Sequence, residues 1–138
     1  MKTSAKSLLV FGVYLIGMGL GFVLLPNLLL GMLGLPPTTE VWSRVVGMFA
    51  LLLAFYYIQA ARANLQPFIQ WTVYTRIAVF FFFTAFVIGG LAGPILILLG
   101  SVDLLAAGWT EWAIRKEKKT IFREPRPAAS LPTPKTQP

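Results

Sequence analysis

The sequence predicts an all-α integral membrane protein: a four-helix bundle running up-down-up-down, with a short interfacial helix after the first span and a Pro-rich basic C-terminal tail. Three observations predict it. Of 138 residues, 57% are hydrophobic and only 12% charged, and the mean hydropathy is +0.73, a composition outside that of ordinary soluble domains. Four stretches reach the ~20 mostly apolar residues that a helix needs to cross a bilayer. The net charge of +7 is uneven, because residues 1–114 hold five basic and three acidic side chains whereas residues 115–138 hold seven and two. The chain thus divides into a four-span bundle over 1–114 and a cytoplasmic tail over 115–138.

The first span is expected over about 7–25. Lys2 and Lys6 precede it as in a secretory signal, but the apolar run is longer than a signal core and no small-residue cleavage site follows, so it reads as a retained span. Pro26 and Asn27 end it, and LLLGMLG then forms a short interfacial helix or re-entrant turn that stops at Pro36 and Pro37. The second span is expected over about 41–61, with Thr38 or Thr39 as its N-cap and Glu40 in its first turn. ARANLQ makes a short polar loop. Pro67 sits where a first helical residue tolerates a missing amide hydrogen, opening a third span over about 68–91. GGLAGP is a turn tight enough to make the last two spans an antiparallel hairpin, with the fourth span over about 94–114. RKEKK continues that last helix, and EPRPAASLPTPKTQP predicts an extended or disordered segment without a core of its own.

Orientation follows from Lys and Arg in the short loops. With four spans, Lys2, Lys6, Arg62 and the basic tail share one side, which places both termini in the cytoplasm. Trp42, Tyr56, Tyr57, Trp71, Tyr74, Trp109 and Trp112 fall near the span ends, where interfacial aromatic belts form. The tail's charge predicts contact with anionic membrane lipids. Basic residues followed by Pro and Ala, without interleaved aromatics, argue against nucleic-acid binding.

The chain contains no Cys and no His. Thiolate sites, disulfides and the commonest metal and proton-shuttling ligand are therefore all missing, and the reading is of a non-enzyme with no metal and no cofactor. Small residues predict close helix packing: Gly17 and Gly21 in the first span, and Gly47, Ala50 and Ala54 on one face of the second. Charged side chains inside spans are costly and face the bundle interior, a partner or a cavity. They are Arg44, Arg76 and Asp103, with Glu111 towards the cytoplasmic end. Folding the last two spans about residues 91 and 92 sets Arg76 four residues, or about 6 Å, from both Asp103 and Glu111. Gly100, Asp103, Ala107 and Glu111 share a stripe, with Thr110 beside it. An Arg76–Asp103 ion pair is expected on this register, as structural glue or as part of a pocket for an amphipathic ligand. On the first of these readings Asp103→Asn alone impairs folding. Arg44 is expected to meet Glu40 or to reach towards Asp103, and Phe80–Phe83, Phe86, Phe49 and Phe55 either face lipid or wall an apolar pocket.

LLPNLLLGMLGLPP, EVWSRVVGMFALLLAFYY, TRIAVFFF and GSVDLLAAGW together resemble the DoxX-like group of small bacterial four-span membrane proteins, over about residues 8–112. The resemblance implies a compact bundle in the bacterial inner membrane, in a group often without assigned activity, with some members acting beside redox partners or as assembly factors. The absence of Cys speaks against a thiol-redox role here. The resulting expectation is a non-catalytic accessory or assembly subunit that packs against other membrane subunits. The alternative is a four-span bundle that binds a small ligand or lipid and acts in transport as a homodimer.

Overall fold

The computed structural model describes residues 1–123, and all regular structure among them is helical. The helices are α1 (Thr3–Leu24), α2 (Pro26–Met32), α3 (Trp42–Arg62), α4 (Gln66–Ile88) and α5 (Ile95–Arg123). Four of them, all but α2, are long and apolar enough to cross a membrane. Large apolar side chains cover their outer surfaces, among them Val13, Leu20, Phe49, Phe82 and Leu105, as expected where lipid rather than water is the solvent. The expected short helix after the first span is α2, which starts on Pro26 and so uses that proline to begin a helix as well as to end α1. RKEKK extends α5 as predicted. The Pro-rich segment that follows lies outside the described residues.

Three helices end in the same way. Asn64 after α3 adopts φ 50°, and Gly34 after α2 and Gly90 after α4 adopt φ 69° and 72°. The next amide turns back to the carbonyl five residues earlier: Leu65 to Ala60 at 3.0 Å, Leu35 to Leu30 at 2.8 Å, Leu91 to Phe86 at 2.9 Å. This left-handed cap satisfies carbonyls that a helix end leaves free. The start of α3 departs from expectation. Its N-cap is Val41 without a side-chain bond, because Thr38 is used in the preceding loop: its amide donates to Asn27 Oδ1 (2.8 Å) and its hydroxyl accepts from the Glu40 amide (3.1 Å).

Neighbouring helices run antiparallel, and α1 is the hub. It packs closely on α3, and also on α5, while α4 and α5 form the second tight pair. α1 meets α3 at two places seven residues apart. Gly12 lies over Ala54, and Gly19 lies over Gly47 so closely that a Cβ on Gly47 would stand 2.7 Å from the Gly19 carbonyl oxygen. Gly100 gives α5 a looser version of this approach on α4, where a Cβ would stand 3.3 Å from the Phe83 ring and 3.4 Å from the Phe80 Cα. The predicted small-residue set is thus partly reassigned. Gly47 and Ala54 are in the α1–α3 contact, but Gly21 faces Leu29 of α2, Gly17 faces open space, and Ala50 lines a cavity.

The first turn of α1 is capped from a distance. Glu117 on α5 accepts the Ser4 amide on Oε1 and the Ser4 hydroxyl on Oε2, both at 2.8 Å. A carboxylate at a helix N-terminus satisfies free amides and suits the positive end of the helix dipole. Glu117→Ala is expected to cost about 1–2 kcal/mol and to raise amide exchange over the first turn of α1, measured by hydrogen–deuterium exchange mass spectrometry. Unchanged protection there would count against the cap.

Candidate functional site

α3 and α4 make little direct contact, with Tyr57 against Phe68 at 5.8 Å between ring centroids. The space between them is a cavity of about 510 Å³. Its walls are helical stripes. On α3, Ser43, Val46, Ala50, Leu53 and Tyr57 recur every three or four residues, and on α4, Arg76, Val79, Phe83 and Phe86 do the same. Phe11, Tyr14, Met18 and Phe22 of α1 and Leu96, Leu99 and Asp103 of α5 complete the sides. Leu30 and Leu33 of α2 and Leu35 just beyond it close the end away from Arg76. From Arg76 to Phe86 the cavity follows α4 for about 15 Å. Its size lies within the range of roughly 300–1,000 Å³ typical of small-molecule sites, and so does its character, apolar with a few polar groups.

Arg76 forms the polar end. It is 1% exposed, and its guanidinium carbon stands 3.9 Å above the Phe11 ring and 5.4 Å from the Tyr57 ring centroid, a cation–π enclosure. Nη1 donates to Thr110 Oγ1 at 3.2 Å. Nε and Nη2 are buried and have no hydrogen-bond partner. Buried donors of a charged group are normally paired; these two are closed off from the cavity as well as from the outside, and the Phe11 and Tyr57 rings supply the guanidinium's surroundings.

Thr110 passes the contact on. Its hydroxyl is 2.9 Å from Ser7 Oγ and 2.9 Å from the Ala106 carbonyl, and Ser7 Oγ is 2.8 Å from the Ser4 carbonyl. Each hydroxyl has one hydrogen. Either Ser7 donates to Thr110 and Thr110 to Ala106, or Thr110 donates to Ser7 and Ser7 to Ser4; both arrangements leave Thr110 able to accept from Arg76. When Thr110 donates to Ser7, a continuous hydrogen-bonded chain runs from Arg76 through Thr110, Ser7 and Ser4 to Glu117.

The expected pairings of the charged cluster are corrected. Among the described residues, Arg76 makes no ion pair with Asp103 or Glu111. The predicted depth was close, but α5 turns Thr110 inward, and Thr110 is fully buried. The adjacent Glu111 points about 100° away around the helix and pairs with Arg115 Nε at 2.7 Å. Asp103 lines the cavity, so Asp103→Asn removes no ion pair. Arg44 meets neither Glu40 nor Asp103. Its Nη1 donates to the Val23 carbonyl at 2.6 Å, since the free carbonyls ending α1 are acceptors at a negative dipole end.

Aromatic expectations divide in the same manner. Tyr57 is buried against Phe11 and Arg76 instead of lying at an interface, whereas Trp42, Tyr56, Trp71, Tyr74, Trp109 and Trp112 are exposed. Phe83 and Phe86 line the cavity; Phe81, Phe82, Phe49 and Phe55 face outward. The reading by spacing missed Ser4, Ser7 and Glu117. The available signal was Ser4 and Ser7 one turn apart on the helix face that also carries Phe11. No protein-family model, no curated protein and no solved structure matches the chain.

Proposed function

We propose that the chain is a non-catalytic multi-pass membrane protein that holds one amphipathic small molecule in the cavity between α3 and α4, as a carrier or ligand-dependent subunit. The observation that carries this reading is the apolar cavity of about 510 Å³, which gathers most of its few polar side chains, Tyr14, Tyr57, Thr75, Arg76 and Asp103, towards one end. The residues at that end are an arginine, tyrosines, a threonine and one carboxylate. They bind and orient, and they include neither an activated nucleophile nor an acid and base pair, in keeping with a binding protein. The distribution of Lys and Arg supports an orientation with both termini in the cytoplasm, and the DoxX-like resemblance supports a bacterial inner-membrane location.

A pocket-filling substitution tests the reading. Wild-type protein purified in mild detergent is expected to carry one small molecule per chain by native mass spectrometry. Ala50→Trp, which puts an indole into the cavity, is expected to lose it while keeping helical circular dichroism. Retention of the adduct by Ala50→Trp, or its absence from the wild type, counts against the cavity as a binding site.

The accessory-subunit reading, with the DoxX-like resemblance behind it, is favoured by Gly17 and Gly108. Both are exposed, and a Cβ on either would meet nothing within 4 Å, so packing within this chain does not require glycine at either position. Smooth patches of that kind suit a second helix. The same native spectra give the answer: a doubled chain mass is the homodimer, and a different polypeptide is a larger complex.

A further inference from the structure

We infer that the cavity takes an uncharged, single-chain lipid alcohol from the bilayer and that the ligand's hydroxyl donates to the Asp103 carboxylate. This rests on the ligand-binding reading above and specifies its ligand.

Asp103 is a polar group of the cavity that a ligand can reach. It stands on the inward stripe of α5 with Leu96, Gly100, Ala107 and Thr110, all four of them buried. Asp103 itself is only partly buried and lines the cavity, so the surface it keeps opens into that space. Among the described residues its carboxylate makes no ion pair and accepts no hydrogen bond, and its oxygens are not closed off as Arg76 Nε and Nη2 are. A carboxylate offers acceptor sites only. It therefore selects a head that brings a hydrogen-bond donor, which ethers, esters and plain hydrocarbons do not.

Charge selects among the donors. Arg76 is held by Thr110, which lies seven residues, or about 10 Å, along α5 from Asp103. That is too far for a bond and near enough, in a low-dielectric interior, to offset the charge of the carboxylate. The cavity lining thus already carries one positive and one negative group. An ammonium head would leave an excess positive charge within the membrane and an anionic head an excess negative one, each of them costly. A hydroxyl brings the donor without the charge.

The route into the cavity fixes the rest of the ligand. Val46 and Leu53 of α3 and Phe86 of α4 line the cavity and are also exposed. α2 closes one end, and the buried rings of Phe11 and Tyr57 stand at the other. The opening is therefore sideways, between α3 and α4, where the surroundings are hydrocarbon, and the ligand enters from the bilayer. A second, apolar cavity of about 230 Å³ adjoins the first, with Met18, Leu33 and Leu99 lining both. An unbranched tail can bend past these three residues, where Met adapts at little cost.

The test uses full-length protein in detergent and tritiated decanol in a scintillation proximity assay, with competition by decanol, methyl decyl ether, decylamine and decanoate. Decanol is expected to compete at least about tenfold better than the ether, the amine or the acid, as one hydrogen bond to a charged acceptor allows. Asp103→Leu removes the acceptor and is expected to weaken decanol about 10- to 100-fold while leaving the ether within about threefold. Asp103→Asn keeps an acceptor oxygen and is expected to fall between wild type and the leucine variant. Equal competition by alcohol and ether overturns the assignment to Asp103 and leaves the cavity reading standing. Preference for the amine overturns it in favour of a cationic head, and preference for decanoate in favour of an anionic one. If the wild type binds no decanol but carries an adduct that Ala50→Trp expels, the hydroxyl assignment alone falls. If neither binding nor adduct is found, both fall. The comparison of alcohol with ether in the unmutated chain holds whether or not Asp103→Leu folds.

Discussion

Replacing Gly47 with leucine will separate α1 from α3 and is expected to cost about 3 kcal/mol or more, the upper end for overpacking a tight contact. The expectation follows from backbone, not side-chain, proximity. A Cβ at position 47 would lie 2.7 Å from the Gly19 carbonyl oxygen and 2.8 Å from the Phe22 Cβ, so no rotamer change relieves the clash and the two helices must move apart. Because α3 is held to the rest of the bundle chiefly through α1, that movement also opens the cavity. Gly17→Leu is the control, since nothing lies within 4 Å of its built Cβ. Thermal unfolding in detergent, followed by intrinsic tryptophan fluorescence, is expected to show a large fall in Tm for Gly47→Leu and none for Gly17→Leu in the isolated chain. A matching fall for Gly17→Leu would mean that the Gly17 face of α1 is also packed against a helix.

Thr110→Val is expected to cost about 2.5–4 kcal/mol, although it conserves shape, because one hydroxyl serves two buried partners. Its loss strips Arg76 Nη1 of its acceptor, worth about 1.5–3 kcal/mol for a charged donor, and takes from Ser7 a neutral bond worth about 1 kcal/mol. With Nε and Nη2 already unpartnered, the whole guanidinium is then buried without a side-chain acceptor. Thr110→Ser keeps the hydroxyl and is expected to stay within about 1 kcal/mol of wild type. The same melting experiment separates them. Equal stability of the valine and serine variants would show that the polar chain from Arg76 to Glu117 contributes nothing to holding α1, α4 and α5 together.

The two experiments probe points at which spacing along the chain and position in space diverge. Gly17 and Gly21 form the more conventional four-residue motif, yet α3 sits on Gly12 and Gly19, seven apart. Both pairs satisfy a helical period, and α1 is apolar all round, so hydropathy carries no preference between its faces. The depth of Arg76 followed from counting back from the turn, and the count was good to within one helical turn. Its partner did not follow, because Thr110 and Glu111 differ by one residue in height and by about 100° in direction. Charge complementarity favoured Asp103, with Glu111 equally within reach; burial selected the threonine. Glu111 gains more from Arg115 on its own exposed face than from entering a low-dielectric interior, where desolvation opposes the pair.

Hydropathy, proline and glycine placement, and the run of charged residues after Ile114 are properties of short stretches, and short stretches dictate where helices start, stop and reach bilayer length. They account for the four long helices, for α2, and for the continuation of α5. The α3–α4 gap, the edge of Arg76 that lacks a partner and the Glu117 cap on Ser4 each join residues far apart along the chain. Such joins depend on how each helix is rotated about its axis, and rotation is settled only when the glycine contacts of α1 with α3 and of α4 with α5 have brought the backbones together. A shift of one residue leaves every helix intact and rewrites the cavity.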